Sequence, residues 1–161
     1  MLKSLYYRTI KMENVYYESK VMWSQIDSNN HLRHSAYADF GAQARLQILE
    51  AIGFSSAVLE ELKIGPILFR EELIYMREIR MNETIKITCE LTKCRVDGSR
   101  WSFKQGVFKE DGTQAAIINV DGAWINVIKR KLCGLPNVLA DAFMNIPHSK
   151  DFILEPLPEK K

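Results

Sequence analysis

Between Val15 and Ile26 the chain is rich in Val, Tyr, Trp and Ile, and Val15, Tyr17, Ser19, Val21, Trp23 and Gln25 share one face at period two. That alternation predicts a first strand over Val15–Ile26. Polar, turn-forming residues then break the pattern from Ser28 to His34, which predicts a loop. Beyond it, Tyr37, Phe40, Gly41, Ala44, Ile48 and Ala51 recur at spacings of three and four. A helix is expected from about Ala36 to Ile52, with Ser35 as its N-cap and Gly53 as its stop. Ala36, Ala42, Leu46 and Leu49 widen its apolar surface well past a stripe, so the helix should be covered by a sheet.

A second, short helix is expected from Ser55 to Leu62, ending before Gly65-Pro66. Strand-like composition dominates afterwards, over Ile67–Arg80, Thr84–Arg95, Arg100–Lys109 and about Thr113–Ile128. Asp97-Gly98, inside Val96–Ser99, and Asp111-Gly112 mark tight hairpin turns. After Lys129-Arg130-Lys131 and Gly134-Leu135-Pro136 comes a small helix, Asn137–Asn145, and a Pro- and Lys-bearing tail expected to be partly flexible. Strand, long helix, then a run of antiparallel strands means an α+β fold, one very apolar helix lying on one face of an antiparallel sheet.

With 161 residues, 47% of them hydrophobic and 26% charged, the chain fits one soluble, folded domain. Net charge is +2 with both signs mixed along the chain, which argues against nucleic acid as the main partner. Cys89, Cys94 and Cys133 show no C-x-x-C spacing, so neither a disulfide framework nor a zinc cluster is expected, and reduced thiols fit a cytoplasmic protein. Residues 1–12 carry Lys3, Arg8 and Lys11 without a continuous apolar run or a small-residue cleavage site, so no secretion signal is expected. No stretch approaches the roughly 20 apolar residues that span a bilayer.

Candidate chemistry gathers at the first strand–helix junction, in Asp27, Asn29, His31 and His34. A helix N-terminus offers unpaired N–H groups and a positive dipole end to a developing oxyanion, and a nearby carboxylate can act as nucleophile or general base. Acyl transfer needs those two parts together. Asp and Asn are also ordinary residues of such loops and caps, so residue type alone leaves a plain turn equally open.

The string Asp27-Ser28-Asn29-Asn30-His31-Leu32-Arg33-His34-Ser35-Ala36-Tyr37 resembles the Asp-x-Asn-x-His segment, followed by a helix with an early Tyr, of hotdog-fold thioesterases related to plant acyl-ACP thioesterases. It is also similar to the 4-hydroxybenzoyl-CoA thioesterase group. Leu73-Ile74-Tyr75-Met76-Arg77-Glu78 resembles the strand after the helix in the acyl-ACP branch, and the likeness runs from about Val15 to Pro136. One departure is that the Gly usual after the Asp in many bacterial members is absent, and Asn30 stands before His31.

The resemblance implies a hotdog domain over residues 1–136, followed by the helix and tail of 137–161, with no cofactor and no metal. It implies that Asp27 attacks a thioester carbonyl or activates water, that Asn29 orients substrate or Asp27, that His31 and Glu78 assist proton transfer, and that the His34 N–H polarises the carbonyl. Tyr37 is expected to shape the loop and the substrate site. The expected substrate is acyl-CoA or an acyl-carrier protein, and the expected assembly a homodimer or dimer of dimers with the site between subunits. Arg95 and Arg130, with Arg100, Lys129 and Lys131, are candidates for the anionic end of coenzyme A, or else a solvated surface. Trp101, Phe103, Phe108 and Trp124 read as core or interface, and His148 as inert. A Cys–His nucleophile built on Cys89 or Cys94 is disfavoured by their placement inside strands. The fold also houses non-catalytic binding domains and hydratases, in which His31 with Glu78 or Asp27 would move protons.

Overall fold

The computed structural model describes residues 14–159, so the stretch 1–12, expected to lack a secretion signal, lies outside the described residues. The two Asp-Gly pairs organise the middle of the chain. Gly98 (φ 72°) and Gly112 (φ 86°) take left-handed backbone that a side chain would strain. The Asp before each one accepts the N–H two residues on, Asp97 from Ser99 at 3.0 Å and Asp111 from Thr113 at 2.9 Å. These turns join β4 (Glu90–Arg95) to β5 (Arg100–Lys109) and β5 to β6 (Gln114–Asn126).

The remaining elements are β1 (Val15–Lys20), α1 (His34–Ala51), α2 (Ser56–Leu62), β2 (Ile64–Tyr75), β3 (Thr84–Thr88), β7 (Lys131–Leu132), α3 (Asn137–Met144) and β8 (His148–Glu155). Across the sheet the order is β2, β6, β5, then β3 and β4 end to end, with β1 antiparallel to β3 and β8 parallel to β4 on the far side. The expected single strand Thr84–Arg95 is thus two. At the break the Thr88 hydroxyl takes the Gly106 N–H (3.1 Å), and the Cys89 N–H turns to the Asn14 carbonyl (3.1 Å).

Three further expectations shift. The first strand stops at Lys20 and gives way to a 3-10 turn over Trp23–Gln25. The strand after the helices spans Ile64–Tyr75 and not Ile67–Arg80, because the N–H groups of Met76 and Arg77 both reach one carbonyl, that of Ala115, and the chain leaves the ladder there. Pro66 sits inside that strand, which is tolerable because β2 is an edge pairing only with β6 among the described strands. The expected tail contains β8, whose pairing with β4 no local pattern announces.

The sheet curls around α1. Ala36, Tyr37, Phe40, Gly41, Ala44 and Ile48 are buried against it, and along β6 Ala116, Ile118 and Val120 alternate inward. Helix and sheet approach so closely that a Cβ on Gly41 would lie 2.8 Å from Ile118 Cδ1. Beside this contact the fully buried Gln105 amide donates to the Gly41 carbonyl (2.9 Å) and accepts from Arg45 (2.7 Å), which also pairs with Glu71 on β2 at 3.3 Å. Trp101, Phe103 and Trp124 are buried as expected, in an aromatic cluster with Phe54 and Phe143 under α3.

Candidate active site

The Asp27 loop is tied at both ends. Ile26 bridges Leu32, the Asp27 N–H reaches the His31 carbonyl (2.8 Å), and the Arg33 N–H reaches the Gln25 carbonyl (2.8 Å). Inside it, Asp27 Oδ1 accepts the N–H groups of Asn29 (2.8 Å) and His31 (3.1 Å). Its other oxygen, Oδ2, has no hydrogen-bond partner among the described residues. Asn30 makes the turn with φ 61°, a left-handed conformation that Asn tolerates better than most residues. It therefore supplies the backbone freedom for which a Gly is usual in this loop.

The expected N-cap, Ser35, is corrected. α1 begins at His34 and its N-cap is Arg33, whose side chain has no acceptor to offer the first N–H groups, while Ser35 is already the second helical residue and its hydroxyl accepts from Arg33 Nε (3.0 Å). The N–H groups of His34 and Ser35 consequently have no acceptor among the described residues. Two orphan donors at the positive end of an 18-residue helix form a ready anion site. The Leu32 N–H donates to the Ile79 carbonyl (2.7 Å), which draws the segment after β2, and Glu78 with it, over the loop.

Glu78 is exposed and anionic. Its own backbone N–H holds its carboxyl below the ordinary carboxylate range, aided by the charges of His31, Arg80 and Lys109 and opposed by slight desolvation. Tyr37 is buried beneath the loop. Burial pushes its phenol up to about 12, and Tyr75 and the charges of Asp27, Glu78 and Glu83 add to the shift. Those neighbours show that Asp27, His31, Glu78 and Tyr37 converge at one end of α1. Asn29 stands exposed at the loop tip, its backbone committed to Asp27.

Arg95 and Arg130 are not gathered there. From Ala116, opposite Tyr75 at the site, to Asn126 β6 runs ten residues, about 33 Å at ~3.3 Å each. Arg130 sits in the turn beyond Asn126, and Arg95 starts the β4–β5 turn at that same far end. Two residues not singled out in the sequence belong to the site. Tyr75 packs edge-on against Tyr37 (centroids 5.1 Å apart) and donates to the His34 carbonyl (3.2 Å). Met81, with Trp23, Ser24, Ile26 and Asn30, lines a pocket of about 650 Å³ that includes Asp27. No local signal in the sequence marked Tyr75, because the strand was expected to run on to Arg80.

Burial pushes the thiols of Cys89 and Cys94 up to about 12, so neither is an activated nucleophile; Cys94 lies in β4 as expected, whereas Cys89 sits at the break between β3 and β4 and not inside a strand. No cluster of His, Cys, Asp and Glu among the described residues could hold a metal ion.

A family model described as the thioesterase-like superfamily matches residues 21–143, from the end of β1 through most of α3. The chain belongs to that superfamily. This thioesterase-like protein has the hotdog fold, and solved structures repeat it. A hypothetical protein from Staphylococcus aureus in complex with CoA superposes with a TM-score of 0.75 at 21% identity, covering 84% of this chain and 88% of that one. A DHNA-CoA thioesterase from the same organism gives 0.73 at 22%, covering 80% and 87%. A 1,4-dihydroxy-2-naphthoyl-CoA thioesterase from Synechocystis gives 0.72 at 14%, covering 83% and 97%. No curated protein matches the thioesterase-like chain.

Proposed function

We propose that this protein hydrolyses acyl thioesters, acyl-CoA or acyl-carrier protein, with Asp27 as the reacting carboxylate. The observation that carries the reading is the pairing of a carboxylate whose Oδ2 is free with an uncapped helix N-terminus a few residues on. A thioester carbonyl oxygen at the His34 N–H gains a hydrogen bond as negative charge builds on it. Asp27 Oδ2 either attacks the carbonyl carbon, forming a mixed anhydride that water then opens, or takes a proton from the attacking water. In both routes the C–S bond breaks and the thiolate leaves. His31, beside the anionic Glu78, assists proton transfer to the departing thiolate. Asn29 then orients the acyl group at the loop tip.

We propose further that the unit is a homodimer built on the free edge of β2, where Leu68, Phe69, Ile74 and Tyr75 are exposed. Antiparallel self-pairing centred on Glu71 sets Arg70 opposite Glu72, Phe69 opposite Leu73 and Leu68 opposite Ile74, a register complementary in charge and apolarity. The same register puts residue 64 of one copy opposite residue 78 of the other. The far end of the partner, with the partner's Arg130, then lies beside the first copy's site, where a cation can meet the anionic end of the carrier. Among the described residues no helix is long and apolar enough to cross a membrane.

The deciding experiment follows loss of thioester ultraviolet absorbance over a panel of acyl-CoAs and acyl-carrier proteins, with wild type and Asp27→Ala. Turnover of at least one thioester by wild type alone is expected. No turnover of any, water addition to an enoyl thioester instead, or full activity in the variant refutes the proposal.

A further inference from the structure

We infer that the exposed indole of Trp23 and the pocket it shares with Asp27 bind the pantetheine arm common to coenzyme A and acyl carriers, an inference that rests on the thioesterase reading above. Of the three tryptophans, Trp101 and Trp124 are 5% and 0% exposed, whereas Trp23 is 80% exposed. A lone exposed apolar side chain is ordinary. Trp23 is not alone, because Met22 beside it in the chain is 59% exposed and Met81, 45% exposed, lines with Trp23 the pocket of about 650 Å³.

The backbone that presents the indole is fixed. Met22 N–H donates to Gln25 Oε1 (2.9 Å), and Arg33, the N-cap of α1, donates through Nη1 to the Ser24 carbonyl (2.6 Å). The Trp23 turn is thereby tied to the helix end that is proposed to hold the carbonyl.

A thioester leaves its carbonyl in two directions, and the lining of this pocket tells which one enters. Trp23, Ile26 and Met81 give it apolar walls, Ser24 and Asn30 give it donors and acceptors, and it has no Lys or Arg. A hydrocarbon or aryl acyl group calls for a dry, closed slot, and phosphates call for cations. The pantetheine arm is a neutral chain of methylenes and a gem-dimethyl group interrupted by two amides and a hydroxyl, which fits a mixed wall without cations that ends at Asp27.

Acrylamide quenching of tryptophan fluorescence in the wild-type protein reads Trp23 almost alone, since the other two indoles are buried. Saturating coenzyme A and saturating pantetheine are each expected to halve the quenching slope or better. Trp23→Ala is expected to raise KM for acyl-CoA about tenfold, the loss of about 1.4 kcal/mol, with a smaller change in kcat, and Trp23→Phe to recover most of it. Protection by coenzyme A but not by pantetheine overturns the inference and transfers the contact to the nucleotide. Unchanged quenching with either ligand in a preparation that hydrolyses thioesters overturns it, as does an indole already shielded without ligand. Protection by both ligands without turnover of any thioester supports the subsite and instead refutes the proposed activity.

Discussion

Replacing Asp27 by Asn separates its chemistry from its part in the loop. The Asn side-chain oxygen can keep both N–H bonds that Oδ1 now accepts at 2.8 and 3.1 Å, but as a neutral acceptor. Charge-assisted hydrogen bonds are roughly twice as strong as neutral ones, and a net neutral bond contributes about 1 kcal/mol, so in this half-exposed loop the change should cost about 1 kcal/mol. For a domain of this size that is a fall in Tm of about 3 °C. Asp27→Ala removes both acceptors and should cost about 2 kcal/mol, or about 6 °C. The activities should not follow that order. A carboxylate acting as base or nucleophile contributes ~10²–10⁴ in rate, about 3–5 kcal/mol of barrier, and neither Asn nor Ala can replace it. Both variants should therefore lose at least ~100-fold in kcat at 25 °C, where both remain folded. The assay is thioester absorbance on the substrate found for wild type, beside circular-dichroism melts. An Asn variant that keeps more than about a tenth of wild-type kcat while Ala loses both fold and activity would show Asp27 to be only a turn residue.

Other parts of the structure give equally direct outcomes. Gly41→Ala gains helix propensity of about 1 kcal/mol, yet its Cβ meets Ile118 Cδ1 at 2.8 Å and Gln105 Oε1 at 3.2 Å, so a net loss of about 1–2 kcal/mol is expected in urea unfolding. Because the Glu78 carboxyl is held below its ordinary 4.5, its contribution to stability is present above that pH and lost as pH falls through the lower folded value. The stability gap between wild type and Glu78→Gln should then be constant near neutrality and close on the acid side; a gap that widens in acid contradicts the assignment. Leu68→Asp places a charge against Ile74 across the proposed two-fold and should yield monomer in sedimentation, and adding Ile74→Arg should restore the dimer; a dimer unaffected by Leu68→Asp rules out this register.

The elements that carry their own chemistry were legible in the sequence. β5 is bounded by two Asp-Gly turns and was placed at Arg100–Lys109 to the residue, and α1 shows its buried face in the three-and-four spacing of Tyr37, Phe40, Gly41, Ala44 and Ile48. What escaped depends on contacts between distant segments. β3 and β4 part at Cys89 because Gly106, on the neighbouring strand, finds the Thr88 hydroxyl, which no pattern within Thr84–Arg95 discloses. β8 exists because β4 has a free edge for it. Ser35 fits a cap by residue type, but the helix already starts at His34 with Arg33 as its N-cap, the Arg33 N–H being tied to the Gln25 carbonyl of a preceding turn. Tyr75 joins the site through the His34 carbonyl, forty-one residues away.

Asp27 was open to two readings, a turn residue or a reacting group, and the geometry shows that they are compatible. The turn uses Oδ1, which takes both backbone N–H groups, while Oδ2 is left over. The two uses reinforce one another, because the bonds on Oδ1 fix the side-chain rotamer and with it the direction of Oδ2, so less orientation has to be acquired at the moment of reaction. At the helix end the N-cap is Arg33, which has no side-chain acceptor, so the N–H groups of His34 and Ser35 stay unpaired, as the proposed oxyanion site requires. A Ser, Thr, Asp or Asn in the place of Arg33 would ordinarily stabilise the helix by satisfying its N-terminus. Arg33 forgoes that stabilisation, about 1 kcal/mol, and two uncapped donors beside an unpartnered carboxylate oxygen are what the proposed hydrolysis requires and what helix stability alone does not.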